Sequence, residues 1–140
     1  MDDTVSTALF KSRVNFVLAL AEHLHTAGTS VNRLEGAIDR IAKKLQLQIS
    51  IWSNPTGIMI SFLDPVLGEP YTVTRVLRLK PGDTDLGRLA DADAIAEQVI
   101  SGKMDIADGL ARLKVRDAEP TWARKIGFIA CFGLASAMVV

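Results

Sequence analysis

The chain has 140 residues, 49% of them hydrophobic, enough for one domain with its own core, which excludes a disordered tail or low-complexity linker. Sixteen Lys plus Arg offset sixteen Asp plus Glu, so the basic excess that draws proteins to phosphate backbones is absent and nucleic acid is not expected as a partner. One cysteine, Cys131, can build neither an internal disulfide nor a structural zinc site and points to a reducing compartment, and the acidic start Met1-Asp2-Asp3 is unlike a secretory signal.

In chain order, Phe10, Val14, Val17, Leu18, Ala21 and Leu24 fall at helical spacing and predict a first amphipathic helix, with Lys11, Arg13 and Glu22 off that row. Gly28 suits the left-handed conformation that stops it, and Thr29 or Ser30 is expected to cap the next helix. Val31, Leu34, Ile38, Ile41, Ala42 and Leu45 mark the buried stripe of that second helix, so the two form a helical hairpin. Leu47, Ile49 and Ile51 alternate with Gln48, Ser50 and Trp52, the period of a half-buried strand. Asn54-Pro55-Thr56-Gly57 is then a turn, with glycine expected to supply a positive backbone angle, leading into an antiparallel second strand from Ile58 to Leu63. A third strand runs from Tyr71 to about residue 79 and ends at Pro81-Gly82.

Asp83 or Thr84 is expected to cap a third helix carrying Leu86, Leu89, Ile95 and Val99 on its buried side, broken at Ser101-Gly102. A short fourth helix follows, capped by Asp105 with Asp108 in its first turn and Ile106, Leu110 and Leu113 inward. Segregated helices and strands predict an α+β fold with a three-stranded antiparallel sheet rather than a parallel doubly wound one. From Ile126 to Val140 the sequence IGFIACFGLASAMVV is uncharged over fifteen residues, while a membrane span needs about 20. Arg116, Arg124 and Lys125 precede it, Trp122 sits where an interfacial aromatic would, and no polar face interrupts it. It reads as the beginning of a transmembrane helix entered after Pro120, which divides the chain into a cytoplasmic α+β domain over 1–118 and a membrane segment over 119–140. The contrasting reading is a soluble ligand-binding or regulatory α+β domain in which the terminal helix is buried.

His23 and His25 are the only histidines, and on a helix they project about 200° apart, so one metal ion cannot be held by both. They are expected to be partly exposed residues near a helix carboxyl terminus. No nucleophile elbow, phosphate loop or dinucleotide fingerprint is present, so neither an enzyme nor a cofactor is indicated. Arg75 stands in the apolar row Tyr71, Val73, Arg75, Leu77 and Leu79 of the third strand. A charge buried there needs a partner, for which Glu35 and Asp39 are the expected carboxylates, or an anionic ligand.

Three segments together resemble the amino-terminal domain of the threonine/serine exporter family and its two-component relatives: Ala27-Gly28-Thr29-Ser30-Val31-Asn32-Arg33-Leu34-Glu35, the turn Asn54-Pro55-Thr56-Gly57-Ile58, and Thr74-Arg75-Val76-Leu77-Arg78-Leu79. Asp85 to Leu89, Pro120 and Trp122 extend the likeness. The resemblance implies a proton-driven secondary exporter of threonine and serine, with dicarboxylates such as succinate in the two-component branch, in the bacterial inner membrane with residues 1–118 facing the cytoplasm. It implies as partners the lipid bilayer, further membrane spans or a second membrane subunit, other copies of the chain in an oligomer, and a small polar substrate, but no cofactor. Ser30, Arg33, Glu35, Thr56, Gly57, Arg75 and Asp85 carry over as family-typical positions and so as candidates for substrate binding or gating.

Overall fold

A computed structural model describes residues 2–68, 72–118 and 126. Helices α1 (Asp2–Thr26) and α2 (Val31–Lys44) precede strands β1 (Gln48–Asn54), β2 (Gly57–Leu63) and β3 (Thr72–Arg78), and helices α3 (Leu86–Ile100) and α4 (Ile106–Ala118) follow. This is the expected α+β order. Tyr71, Pro120, Trp122, Cys131 and all of the terminal apolar run except Ile126 lie outside the described residues.

Helix α1 is the hub, touching α2, α3, α4 and β2. Its predicted row is buried at Phe10, Val14, Val17 and Ala21, but Phe16 and Leu20, which lie off that row, are just as deeply buried. Leu18 and Leu24 are only half-buried against the core. A single stripe underestimates a helix covered from several sides, which is apolar around more of its circumference. Helix α2 buries Leu34, Ile38 and Ala42 of its expected stripe and Leu45 just beyond its end, leaves Ile41 half-buried and Val31, expected inward, exposed, and turns Lys43 and Asp39 outward in a 2.6 Å surface pair.

The end of α2 is a device that the sequence reading lacked. Leu47 N–H donates to Ala42 O and Gln46 N–H to Lys43 O, the paired bonds of a Schellman stop, with Gln46 at φ 59° in the place usually held by glycine. A left-handed residue with a Cβ costs about 1–2 kcal/mol. Gln46→Gly should therefore stabilise the fold by about 1 kcal/mol, seen as a rise of about 4 °C in the melting midpoint. An unchanged midpoint would mean that the Gln46 side chain, 3.4 Å from the Arg13 guanidinium, compensates the strain.

The three strands form one antiparallel meander in the order β1-β2-β3. Register places Ile49, Phe62 and Val73 in one row, Ile51, Ile60 and Arg75 in the next, and Ser53, Ile58 and Leu77 in a third. These rows face the helices, and β2 in the middle is the most deeply covered, with Ile58, Ile60 and Phe62 buried. Trp52, Met59 and Val76 form a matching row on the opposite, exposed face. Among the described helices, α2 packs on β1 and α1 on β2, while β3 forms the other edge of the sheet, with Val73 packed against the core and Arg75 exposed.

The hairpin turn is real, but its mechanism differs from expectation. Pro55, Thr56 and Gly57 all lack a positive φ. Asn54 Oδ1 instead accepts from Thr56 N–H at 2.8 Å and from the Thr56 hydroxyl at 2.9 Å, so an Asn side chain closes the reversal. Glycine is required at position 57 for close approach: an added Cβ would stand 2.7 Å from the Leu77 carbonyl oxygen.

Helix α3 is capped by Asp85, whose Oδ1 accepts from Arg88 N–H at 3.0 Å, rather than by Asp83 or Thr84. It buries Ala92, Ile95, Ala96 and Val99, whereas Leu86, expected inward, is 75% exposed. The start of α3 borders an open groove beside α2 instead of the core, and Leu86 and Leu89 line that groove. The chain then turns at Gly102, φ 76°, into α4, which buries Leu113 and packs on α1 and α3.

Candidate functional site

Several short, unrelated stretches of the sequence meet at one end of the molecule: the end of α1, the 27–30 loop, the start of α2, the tip of the β1–β2 hairpin and the strap from β3 to α3. Helix α1 stops there by the same paired bonds as α2, with Thr29 N–H donating to Leu24 O and Gly28 N–H to His25 O, and Gly28 at φ 78°. The strap lies against that turn, since a Cβ on Gly28 would come within 2.7 Å of Thr84 N. Asp85 N–H donates to Ala27 O at 3.0 Å, so Asp85 fixes the strap as well as capping α3.

Both histidines are buried, contrary to the expectation of partial exposure: His23 is fully covered and His25 is 7% exposed. Their opposed directions, read from the helical spacing, hold. His23 reaches α3, with Nε2 3.3 Å from Arg88 O and Nδ1 3.5 Å from the Arg88 guanidinium. His25 reaches the hairpin, its Nε2–H donating to Asn54 O at 3.0 Å. Because a carbonyl can only accept, that bond leaves the neutral ring with its lone pair on Nδ1. Among the described residues His25 Nδ1 has no partner, nor does the buried Thr29 Oγ1.

Glu35 is a structural clamp. Its Oε1 accepts from Ser53 N–H at 2.7 Å and from the Ser53 hydroxyl at 2.9 Å. Strand β1 is an edge, so this carboxylate satisfies an N–H that no neighbouring strand could reach. The expected Arg75 pairing is overturned by the same bonds, because Glu35 is directed to Ser53 and Asp39 to Lys43. Arg75 does lie in the inward row beside Ile60, but on this edge strand it is exposed and makes one 3.4 Å contact with its neighbour's carbonyl, Thr74 O. Arg75→Met should accordingly move stability by no more than about 0.5 kcal/mol in a thermal melt. A larger loss would reveal a partner for the guanidinium.

The other candidate positions separate into distinct places. Ser30 occupies the N-cap of α2 but makes no side-chain cap bond, against expectation, which leaves the first N–H groups of α2 uncapped. It lines a cavity of about 220 Å³ with His25, Thr29, Ser53, Asn54 and Gly82, and no Asp, Glu, Lys or Arg lines that space. Ser30 and Arg33 also border the larger groove between α2 and α3, about 860 Å³, where Arg40 and Asp93 bring further charge. Thr56 and Gly57 line a hollow on the exposed sheet face with Trp52 and Arg78. The fold thus brings Ser30 together with His25, Thr29 and Asn54, which no spacing in the sequence marked out, and leaves Arg75 apart. Among the described residues no group of His, Cys, Asp and Glu is placed to hold a metal ion, and no helix is long and apolar enough to cross a membrane.

The geometry defines a small α+β unit, helices over one face of an antiparallel meander, with an uncharged, largely apolar cavity where its loops converge. The chain belongs to the ThrE family, described as "Putative threonine/serine exporter", whose model matches residues 15–140. No curated protein and no solved structure matches it.

Proposed function

We propose that the chain is the amino-terminal, cytoplasm-facing part of a proton-driven secondary exporter of threonine and serine in the inner membrane. The observation that carries this reading is the family match, which runs through the α+β unit and on through the uncharged stretch that follows it. Arg116, Arg124 and Lys125 before that stretch suit the cytoplasmic side of a span. The remaining membrane spans, in the same or a partner subunit, would supply the translocation path, and an exporter family speaks for transport rather than catalysis. Dicarboxylates such as succinate form the second substrate class.

The test is efflux. Cells lacking the gene, loaded with threonine or serine from dipeptides, should retain more of either amino acid than cells carrying it, and a protonophore should abolish the difference. Gene-dependent efflux of succinate alone would reassign the substrate. Equal retention in both strains would overturn the exporter reading.

A further inference from the structure

Helices α2 and α3 run in the same direction with a groove between them: Ser30, Arg33 and Leu86 line its start, Lys44, Glu97 and Ile100 its end. The main space of about 860 Å³ continues into a hollow of about 240 Å³, and Arg40 and Asp93 line both. Leu20, Leu24 and Ala92 contribute apolar surface to it, and the two walls carry opposite charge. Arg33, Arg40 and Lys44 stand on α2 at steps of seven and four residues, which keeps them on one side of the helix. Asp93 and Glu97, one turn apart, stand on α3. All five are exposed, and among the described residues none has an ion-pair partner. Leu86 lies at the lip, 75% exposed, while Gly36 and Ala90 are small enough to let another helix come close.

We propose that this groove is the contact between two copies of the chain, related by a two-fold axis running along it. In that arrangement α2 of each copy lies over α3 of the other, and the four helices enclose a joint core into which Leu86 and Leu89 of both copies project. Because α2 and α3 run in the same direction, the rotation brings Arg40 level with the partner's Asp93 and, one turn on, Lys44 level with the partner's Glu97. The symmetry repeats both pairs. A two-fold axis across the groove would instead lay α2 on α2 and α3 on α3, cation on cation and carboxylate on carboxylate. Charge therefore selects the first arrangement, and it selects the occupant too, since a surface basic on one wall and acidic on the other complements itself under that rotation. Burial of the leucines supplies the attraction, and the exposed pairs set the register.

The experiment sediments the full chain in detergent micelles over a range of protein concentrations. A monomer–dimer equilibrium should appear. Replacing Arg40→Glu and Lys44→Glu together sets like charges against each other at both ends of the symmetry and should weaken the dimer about tenfold or more. Adding Asp93→Lys and Glu97→Lys to the same chain makes every pair opposite again and should restore the dimer. The four side chains are exposed, so the thermal midpoint should stay close to that of the wild type. Should a reversed chain fail to fold, cross-linking decides. With Cys131→Ser as background, chains bearing Arg40→Cys should form a disulfide with chains bearing Asp93→Cys, and Arg40→Cys alone should not couple to itself. A chain that stays monomeric overturns the proposal and leaves the groove to a different protein. A dimer indifferent to charge reversal, or one in which Arg40→Cys couples mainly to itself, overturns it as well, because the contact then lies elsewhere or runs across the groove.

Discussion

Gly28→Ala is expected to destabilise the fold by about 3 kcal/mol or more, because two costs fall on one residue. The backbone at φ 78° is left-handed, which any residue with a Cβ adopts at about 1–2 kcal/mol. The added methyl would also stand 2.7 Å from Thr84 N and 2.8 Å from Asp83 C, backbone atoms that cannot swing aside as a side-chain tip would. Overpacking of this kind typically costs a further 1–3 kcal/mol or so. The strap should be pushed off the α1–α2 turn, breaking the bond from Asp85 N–H to Ala27 O. Thermal melting should show the midpoint falling by roughly 10 °C, and hydrogen exchange should show the Asp85 amide losing protection. A melt like that of the wild type, with Asp85 still protected, would mean that the strap leaves room for a Cβ at position 28.

Glu35→Ala should cost about 2–3 kcal/mol. It strips the acceptor from two donors of Ser53, a residue only 6% exposed, and an orphaned buried donor loses its full hydration as well as its bond. Glu35→Gln retains a carbonyl oxygen at the same reach and should lose about 1 kcal/mol, the difference between a charged and a neutral acceptor. Equal losses in the two variants would show that charge rather than the bond geometry matters. No loss in either would remove Glu35 from the set of structural clamps.

These expectations show how far the family-typical positions can be read as architecture. Glu35 holds the edge of β1, Asp85 caps α3 and pins the strap, Thr56 closes the hairpin with Asn54, and Gly57 makes room for β3. Ser30 and Arg33 are the candidates whose side chains are given no such bond, and both border cavities. The sequence offered His25 only as half of a His-x-His pair and Thr29 only as a helix cap, so neither was marked as lining the cavity beside Ser30. The distance of His25 from Asn54 along the chain carries no periodic signal.

What the sequence by itself determined is what depends on neighbours within a few residues. The existence and order of the helices and strands, the strand alternation, the reversal at residues 54–57, the left-handed stop at Gly28 and the break at Ser101-Gly102 all follow from local geometry and are found as expected. Tertiary structure decided everything that depends on which elements cover which. Arg75 has the alternation of an inward residue, yet it stands on an edge strand where none of the described helices covers its row, so its guanidinium is exposed. Leu86 has the spacing of a core residue but borders a groove, while Phe16 lies off the row and is buried because α1 is wrapped from several sides. His25 is polar and near a helix end, yet it is enclosed because the hairpin tip and the α1–α2 turn close over it. Periodicity assigns a residue to a face. Only the packing of one element on another decides whether that face meets protein, water or a cavity.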